Sequence, residues 1–183
     1  MSAVEQFDAN RVLVDVVDHV LIGDKVAPVV DNHGTGVAGI AGAVGGNDIG
    51  GKGVCPDCNL LLLRHDGSFD DSTAGAICYA ILQGADVISN SWAPNAAFPS
   101  TRTAVEEASA DHDIPVLFAM DTDTYKDNCD NDSAYDFSSF DENVIAVSSV
   151  TDQDKRTPSG HGNCADVLAS TAGGYKDVVT TNV

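Results

Sequence analysis

Twenty-eight acidic against nine basic residues in a chain of 183 leave a formal charge of −19, which repels polyanions at long range and excludes nucleic acid and anionic membranes as expected partners. A hydrophobic content of 43% suffices for one substantial core, so residues 1–183 read as a single domain. The longest uncharged apolar runs, such as Leu60–Leu63 and Val144–Val147, fall far short of the roughly 20 residues that cross a bilayer, and no membrane span is expected.

Met1–Asn10 carries Glu5 and Asp8 without a basic start or an apolar stretch, so it does not read as a signal peptide. An extended segment follows over Arg11–Val17, then a helix over His33–Val44 and a glycine-rich loop over Gly45–Gly53. A strand at Asn59–Arg64, a helix at Ser72–Gly84 and a strand at Asp86–Ser89 continue the rhythm. After an irregular stretch beyond Trp92 come a helix at Thr101–Asp111, a strand at Pro115–Ala119, an acidic loop, a strand at Asn143–Ser149 and a short apolar run at Ala165–Ala169. Alternation of this kind predicts an α/β domain with a mostly parallel sheet between helices.

Five cysteines are an odd count, so at least one is unpaired if the others bridge. Cys55 and Cys58 form a C-x-x-C, but no second such pair and no histidine pair at zinc spacing accompanies it, which makes zinc a weak reading. Cys78 sits in an apolar helical pattern and reads as a buried thiol, which leaves Cys129 and Cys164 for a bridge between loops. The acidic stretch from Asp121 to Asp141 reads first as a solvated surface and second as a source of carboxylates for a structural calcium ion.

The segment Asp31-Asn32-His33-Gly34-Thr35-Gly36-Val37-Ala38-Gly39-Ile40-Ala41-Gly42 predicts a helix with little side-chain bulk. Its four glycines cost about 1 kcal/mol each in helix propensity, so tight packing against neighbours has to compensate. His33 would open that helix, and an imidazole is the commonest general base. His33–Gly39 matches H-G-T-x-V-A-G at every fixed position, and the chain here resembles the subtilase family of serine proteases. Gly50-Gly51-Lys52-Gly53-Val54-Cys55-Pro56 is similar to the family's G-x-G-V-A-P turn, and Asp86–Trp92 resembles the V-I-N-x-S-W-G strand and turn that line substrate pockets. Asn143–Val147 with Asp152–Gly162 resembles the late strand and its following turn, and Asn163–Ala169 the segment after it. The resemblance covers residues 25–175 and implies a three-layer subtilisin-like domain that lacks family segments at one or both ends.

Several expectations follow from the resemblance. His33 becomes the catalytic base, Ser89, Asn90, Ser91 and Trp92 become substrate-binding positions, and Cys129 and Cys164 match a disulfide found in some members. A disulfide implies an oxidising compartment, with secretion the simplest choice. Family chemistry also needs a serine, an orienting aspartate and an oxyanion donor. The G-T-S-x-A-x-P serine motif does not occur in residues 1–183, and Ser170 does not match it. For the aspartate two alignments compete: Asp15-Val16-Val17 matches the D-F-V strand and the aspartate lies upstream, or Val12–Val17 is itself the aspartate strand and ends at Asp18. The first is preferred. Thr122 stands where the family has its oxyanion asparagine, with Asp121 before it in place of glycine.

The implied function is serine endopeptidase chemistry on a peptide or protein substrate, carried by a truncated or degenerate chain that is inactive alone. The alternative is a pseudo-protease that binds extended peptide or serves a structural role. If the aspartate strand is missing, either Arg11–Val17 fills its place in the sheet or the chain pairs with itself through the gap, as a homodimer.

Overall fold

The computed structural model describes residues 11–15, 33–63, 70–92, 98–120, 143–155, 157, 160, 162 and 164–171, with backbone alone for 11–15. In chain order the elements are β1 (Arg11–Asp15), α1 (His33–Gly42), β2 (Asn59–Leu63), α2 (Asp70–Leu82), β3 (Ile88–Asn90), α3 (Pro99–Glu106), β4 (Val116–Ala119), β5 (Val144–Val150) and β6 (Val167–Ser170). Each lies within a few residues of the segment that periodicity predicts. The predicted helix at Thr101–Asp111 begins two residues earlier, and its last part is a π-helical turn over Glu107–Asp111.

The six strands form one sheet in the order β2-β1-β3-β4-β5-β6, and every pairing is parallel. Parallel strands need covered faces, and the helices supply them. Ile77 and Ala80 of α2, Ala104 and Val105 of α3, and Ala108 of the π-turn pack with Ile88, Val116, Phe118 and Val144 into the main core. Leu61 and Leu63 of β2 pack against this cluster, whereas Leu60, one residue out of phase, meets α1 at Gly42. Helix α1 therefore covers the opposite face, over β1 and β2. Gly34 and Gly39 are buried within it, the close packing that its glycine content requires.

Local chemistry fixes the helix ends. Gly84 takes a left-handed φ of 71° after α2, while Gly84 N–H donates to the Ile81 carbonyl and Ala85 N–H to that of Ala80, a glycine stop that satisfies otherwise orphaned carbonyls. Helix α3 starts after Phe98 with no cap from its own side chain and with Pro99 in the first turn. Its cap comes from Asp70, at the head of α2, whose carboxylate accepts from the N–H groups of Ser100 and Thr101.

Strand β1 lies inside the sheet, with Asp15 in register with Leu63 on one side and Asn90 on the other. Of the two arrangements expected for this region, Arg11–Asp15 thus occupies the interior place, and no gap separates β2 from β3. Among the described residues the sheet's outer strands are β2 and β6. Leu62 on the first, and Val167 and Leu168 on the second, are exposed.

Candidate active site

Strand direction locates the site. The turn Gly53–Cys55 donates its three backbone N–H groups to the carbonyls of Ala43, Ile40 and Ala41 at 2.8–2.9 Å, and the chain then enters β2 at Asn59. The C-terminal end of α1 therefore sits at the beginning of the strands, and α1 runs antiparallel to them. Ten helical residues span about 15 Å, about the length of a five-residue strand, which carries His33 to the edge where the strands end. In open α/β sheets ligands bind at that carboxyl edge.

His33 is the first residue of α1 and is exposed. At the same edge stand Asp15, Leu63 and Asn90 in register, followed by Ser91 and Trp92 just beyond β3. Ser89, Ser91 and Trp92 are half-buried. Asn90 is only 2% exposed; its Nδ2 donates to the Leu117 carbonyl at 3.0 Å, and its Oδ1 has no partner. The four residues predicted to meet substrate thus divide, and the Asn90 side chain looks into the core. Trp92 lies edge-on to Phe118, with ring centroids 5.3 Å apart at 85°, an arrangement aromatic quadrupoles favour.

Past β4 the edge opens into a cavity of about 280 Å³ lined by Ala119, Met120, Val147 and Ser149 together with Ala169, Ser170 and Thr171. The Ser148 hydroxyl donates to the Gly160 carbonyl, the Ser149 and Thr157 hydroxyls share a hydrogen bond, and Thr157 Oγ1 also donates to the Ser149 carbonyl at 3.2 Å. Ser170, at the cavity wall, is exposed.

Asp18, Thr122 and Cys129 lie outside the described residues. Cys164 is disulfide-bonded. Cys55 and Cys58 are joined to each other, so the C-x-x-C forms a disulfide; the turn at Cys55–Cys58, with Cα atoms 5.3 Å apart, brings them within bridging range. Cys78, expected to be a buried thiol, is free and half-buried, and burial followed by the negative charge of Glu107 pushes its thiol up from the usual range. Among the described residues no group of three or more His, Cys, Asp or Glu side chains is placed to hold a metal, and the acidic stretch 121–141 lies outside them. No described helix is long and apolar enough to cross a membrane.

A histidine heading a glycine-rich helix, at the carboxyl edge of a parallel sheet, is an arrangement in which H-G-T-x-V-A-G acquires meaning. The profile of the subtilase family, peptidase S8, matches residues 12–181. The chain belongs to the subtilase family. This subtilase is 33% identical over 146 residues to a thermophilic serine proteinase of Bacillus sp. (strain AK1), an alignment covering 76% of this chain and 34% of that protein. A shorter match, 43% identical over 67 residues, joins 35% of the chain to 10% of a calcium-dependent protease of Trichormus variabilis. Among solved structures MycP1, crystallised with its N-terminal propeptide removed, superposes with a TM-score of 0.66 at 21% identity, covering 87% of this chain and 63% of that one. The chain therefore spans about a third of the length of the serine proteinase it matches over most of its own length, and the MycP1 likeness establishes the subtilisin fold.

Sequence reasoning passed over Asp15. The preferred alignment places it in the D-F-V strand, and β1 ends at Asp15 between β2 and β3. The signal in the sequence is an aspartate closing a short apolar run, Val12–Val14.

Proposed function

We propose that this subtilase chain forms the histidine-bearing, peptide-facing part of a serine endopeptidase domain and does not hydrolyse peptide bonds alone. The observation that carries this reading is the position of His33, exposed at the N-terminus of α1 and brought to the edge where β1, β3 and β4 end. A base placed there can take the proton of a nucleophile that approaches from the solvent side. Residues 1–183 hold no G-T-S-x-A-x-P segment to supply that nucleophile. Extended peptide is the substrate class, lying along Ser91–Trp92. Asp18 remains the orienting carboxylate of one alignment, and a calcium ion, if bound, belongs with the carboxylates of residues 121–141.

The disulfides at Cys55–Cys58 and Cys164 favour an oxidising, extracellular setting. The second reading, a pseudo-protease that binds peptide without cleaving it, draws support from Thr122 in place of the oxyanion asparagine, because losing one such donor costs about 2.7–4 kcal/mol in the barrier.

Trp92 is the single tryptophan and reports directly on this edge. Titration with an unstructured casein-derived peptide is expected to shift its emission saturably. A folded chain whose Trp92 emission ignores every extended peptide would remove both peptide-based readings. If peptide binds, joining the chain to a serine segment from a relative separates them: restored hydrolysis supports the endopeptidase, and continued inactivity the pseudo-protease.

A further inference from the structure

The C-terminal end of α1 is tied to a neighbouring turn. The carbonyls of Ile40 and Ala41 in its last turn, and of Ala43 just past it, accept from the backbone N–H groups of Val54, Cys55 and Gly53, all in one turn. The fit is tight: a Cβ on Gly53 would stand 2.4 Å from the Ala43 nitrogen and 2.8 Å from Gly42 Cα. That turn is closed two ways, by Cys58 N–H donating to the Cys55 carbonyl at 3.2 Å and by the Cys55–Cys58 disulfide. One covalent bond thus secures the segment that caps the helix carrying His33.

The bond is also within reach of solvent. Cys55 and Cys58 are only half-buried, Asp57 between them is exposed, and the neighbouring Val54 is 87% exposed. Exposed disulfides are the labile ones in thiol–disulfide exchange. A bridge between cysteines three positions apart closes a very short loop, so it removes little entropy from the unfolded chain; its effect is local, on the turn.

We propose that Cys55–Cys58 is a reversible thiol–disulfide exchange site whose state sets how firmly the C-terminal end of α1 is held. The reaction partner is a dithiol. Its thiolate attacks one sulfur of the bridge, forms a mixed disulfide and expels the other cysteine as a thiolate that takes up a proton. The second thiol of the reductant then attacks the mixed disulfide, releasing the remaining cysteine as a thiol and leaving the reductant as a cyclic disulfide. Two electrons and two protons pass to the protein, and nothing else is consumed. Oxidised, the turn is closed and its three N–H groups stay on the helix; reduced, the turn opens more often and exposes those amides. This inference stands apart from the proteolytic reading and is tested without any activity measurement.

The test combines graded dithiothreitol, alkylation with iodoacetamide, peptide mass mapping and amide hydrogen exchange on the whole chain. The expected result is that Cys55 and Cys58 are alkylated at lower dithiothreitol than Cys164. At that point exchange at Gly53, Val54 and Cys55 rises by about tenfold or more while the amides of α2 are unchanged, as local opening without global unfolding requires. A Cys55→Ser/Cys58→Ser chain should show the faster exchange without reductant and no further change with it. Release of Cys164 first, or alkylation of Cys55 and Cys58 with unchanged exchange at Gly53–Cys55, would overturn the proposal. So would a double variant, folded by the α2 amides, whose turn exchanges as slowly as the oxidised parent.

Discussion

The backbone N–H and the hydroxyl of Thr101 both donate to the same carboxylate oxygen of Asp70, each at 2.7 Å. The other oxygen accepts from Ser100 N–H at 2.8 Å, so the head of α2 supplies the N-cap of α3, and the helices are joined where Thr101 is fully buried. Removing an N-cap costs about 0.5–2 kcal/mol. Asp70→Ala is therefore expected to lower the urea midpoint by the equivalent of about 1–2 kcal/mol at neutral pH, and an unchanged midpoint would mean that the cap contributes nothing.

The same cap gives stability a pH dependence. Burial pulls the Asp70 carboxyl up, but the hydrogen bonds from Ser100 and Thr101 together outweigh it and hold the carboxyl below its ordinary value. A depressed folded value means that the contribution is complete above the unfolded aspartate value of about 3.9 and is lost as pH falls through the lower folded one. Parent and Asp70→Ala chains should differ in stability at pH 6 and converge as pH falls through the lowered folded value. A difference that grows on acidification would contradict the assignment.

Gly53 leaves no room for a side chain, since the obstructing atoms are backbone of Gly42 and Ala43. Overpacking of this kind costs about 1–3 kcal/mol, and Gly53→Ala should lower the thermal midpoint accordingly. Gly51, two residues earlier, has nothing within 4 Å of its would-be Cβ, so Gly51→Ala should be silent in the same scan.

Phe118 is fully buried and meets Trp92 edge-on. Phe118→Ala is expected to cost about 3–5 kcal/mol and to change Trp92 emission in the folded state. Phe118→Leu should retain most of the stability and still change the emission, because the aromatic edge is gone. Identical spectra in parent and Leu variant would place Trp92 elsewhere.

Much of this architecture is legible in the sequence because its determinants are local. The runs Asn59–Leu63 and Val144–Val150 are short, apolar and bounded by turn residues, and Gly84 marks the end of α2. His33–Gly42 is readable as a helix through its motif rather than its propensity. What escaped reading depends on residues distant in the chain or on alternatives of equal merit. The Asp70–Thr101 cap joins positions 31 apart, and no pattern in either segment announces it. The π-turn at Glu107–Asp111 carries a sequence that suits an α-helix equally well. Cys55-x-x-Cys58 suits a metal or a bridge in sequence, and the turn joins the two cysteines. Asp15 was open to two registers, and pairing on both sides with Leu63 and Asn90 fixes the backbone position.

His33 is exposed at the start of α1, so His33→Ala should change stability by less than about 1 kcal/mol, which makes it a clean control for chemistry. The central claim is that the chain presents a subtilase histidine without a nucleophile of its own. The most direct measurement is labelling of the purified chain with a fluorophosphonate, read by intact mass, beside hydrolysis of fluorescent casein, each compared with His33→Ala. The account predicts no adduct and no hydrolysis above the variant. A stoichiometric adduct accompanied by inhibitable hydrolysis, both lost in His33→Ala, would show that a serine within residues 1–183 serves as the nucleophile and would contradict it.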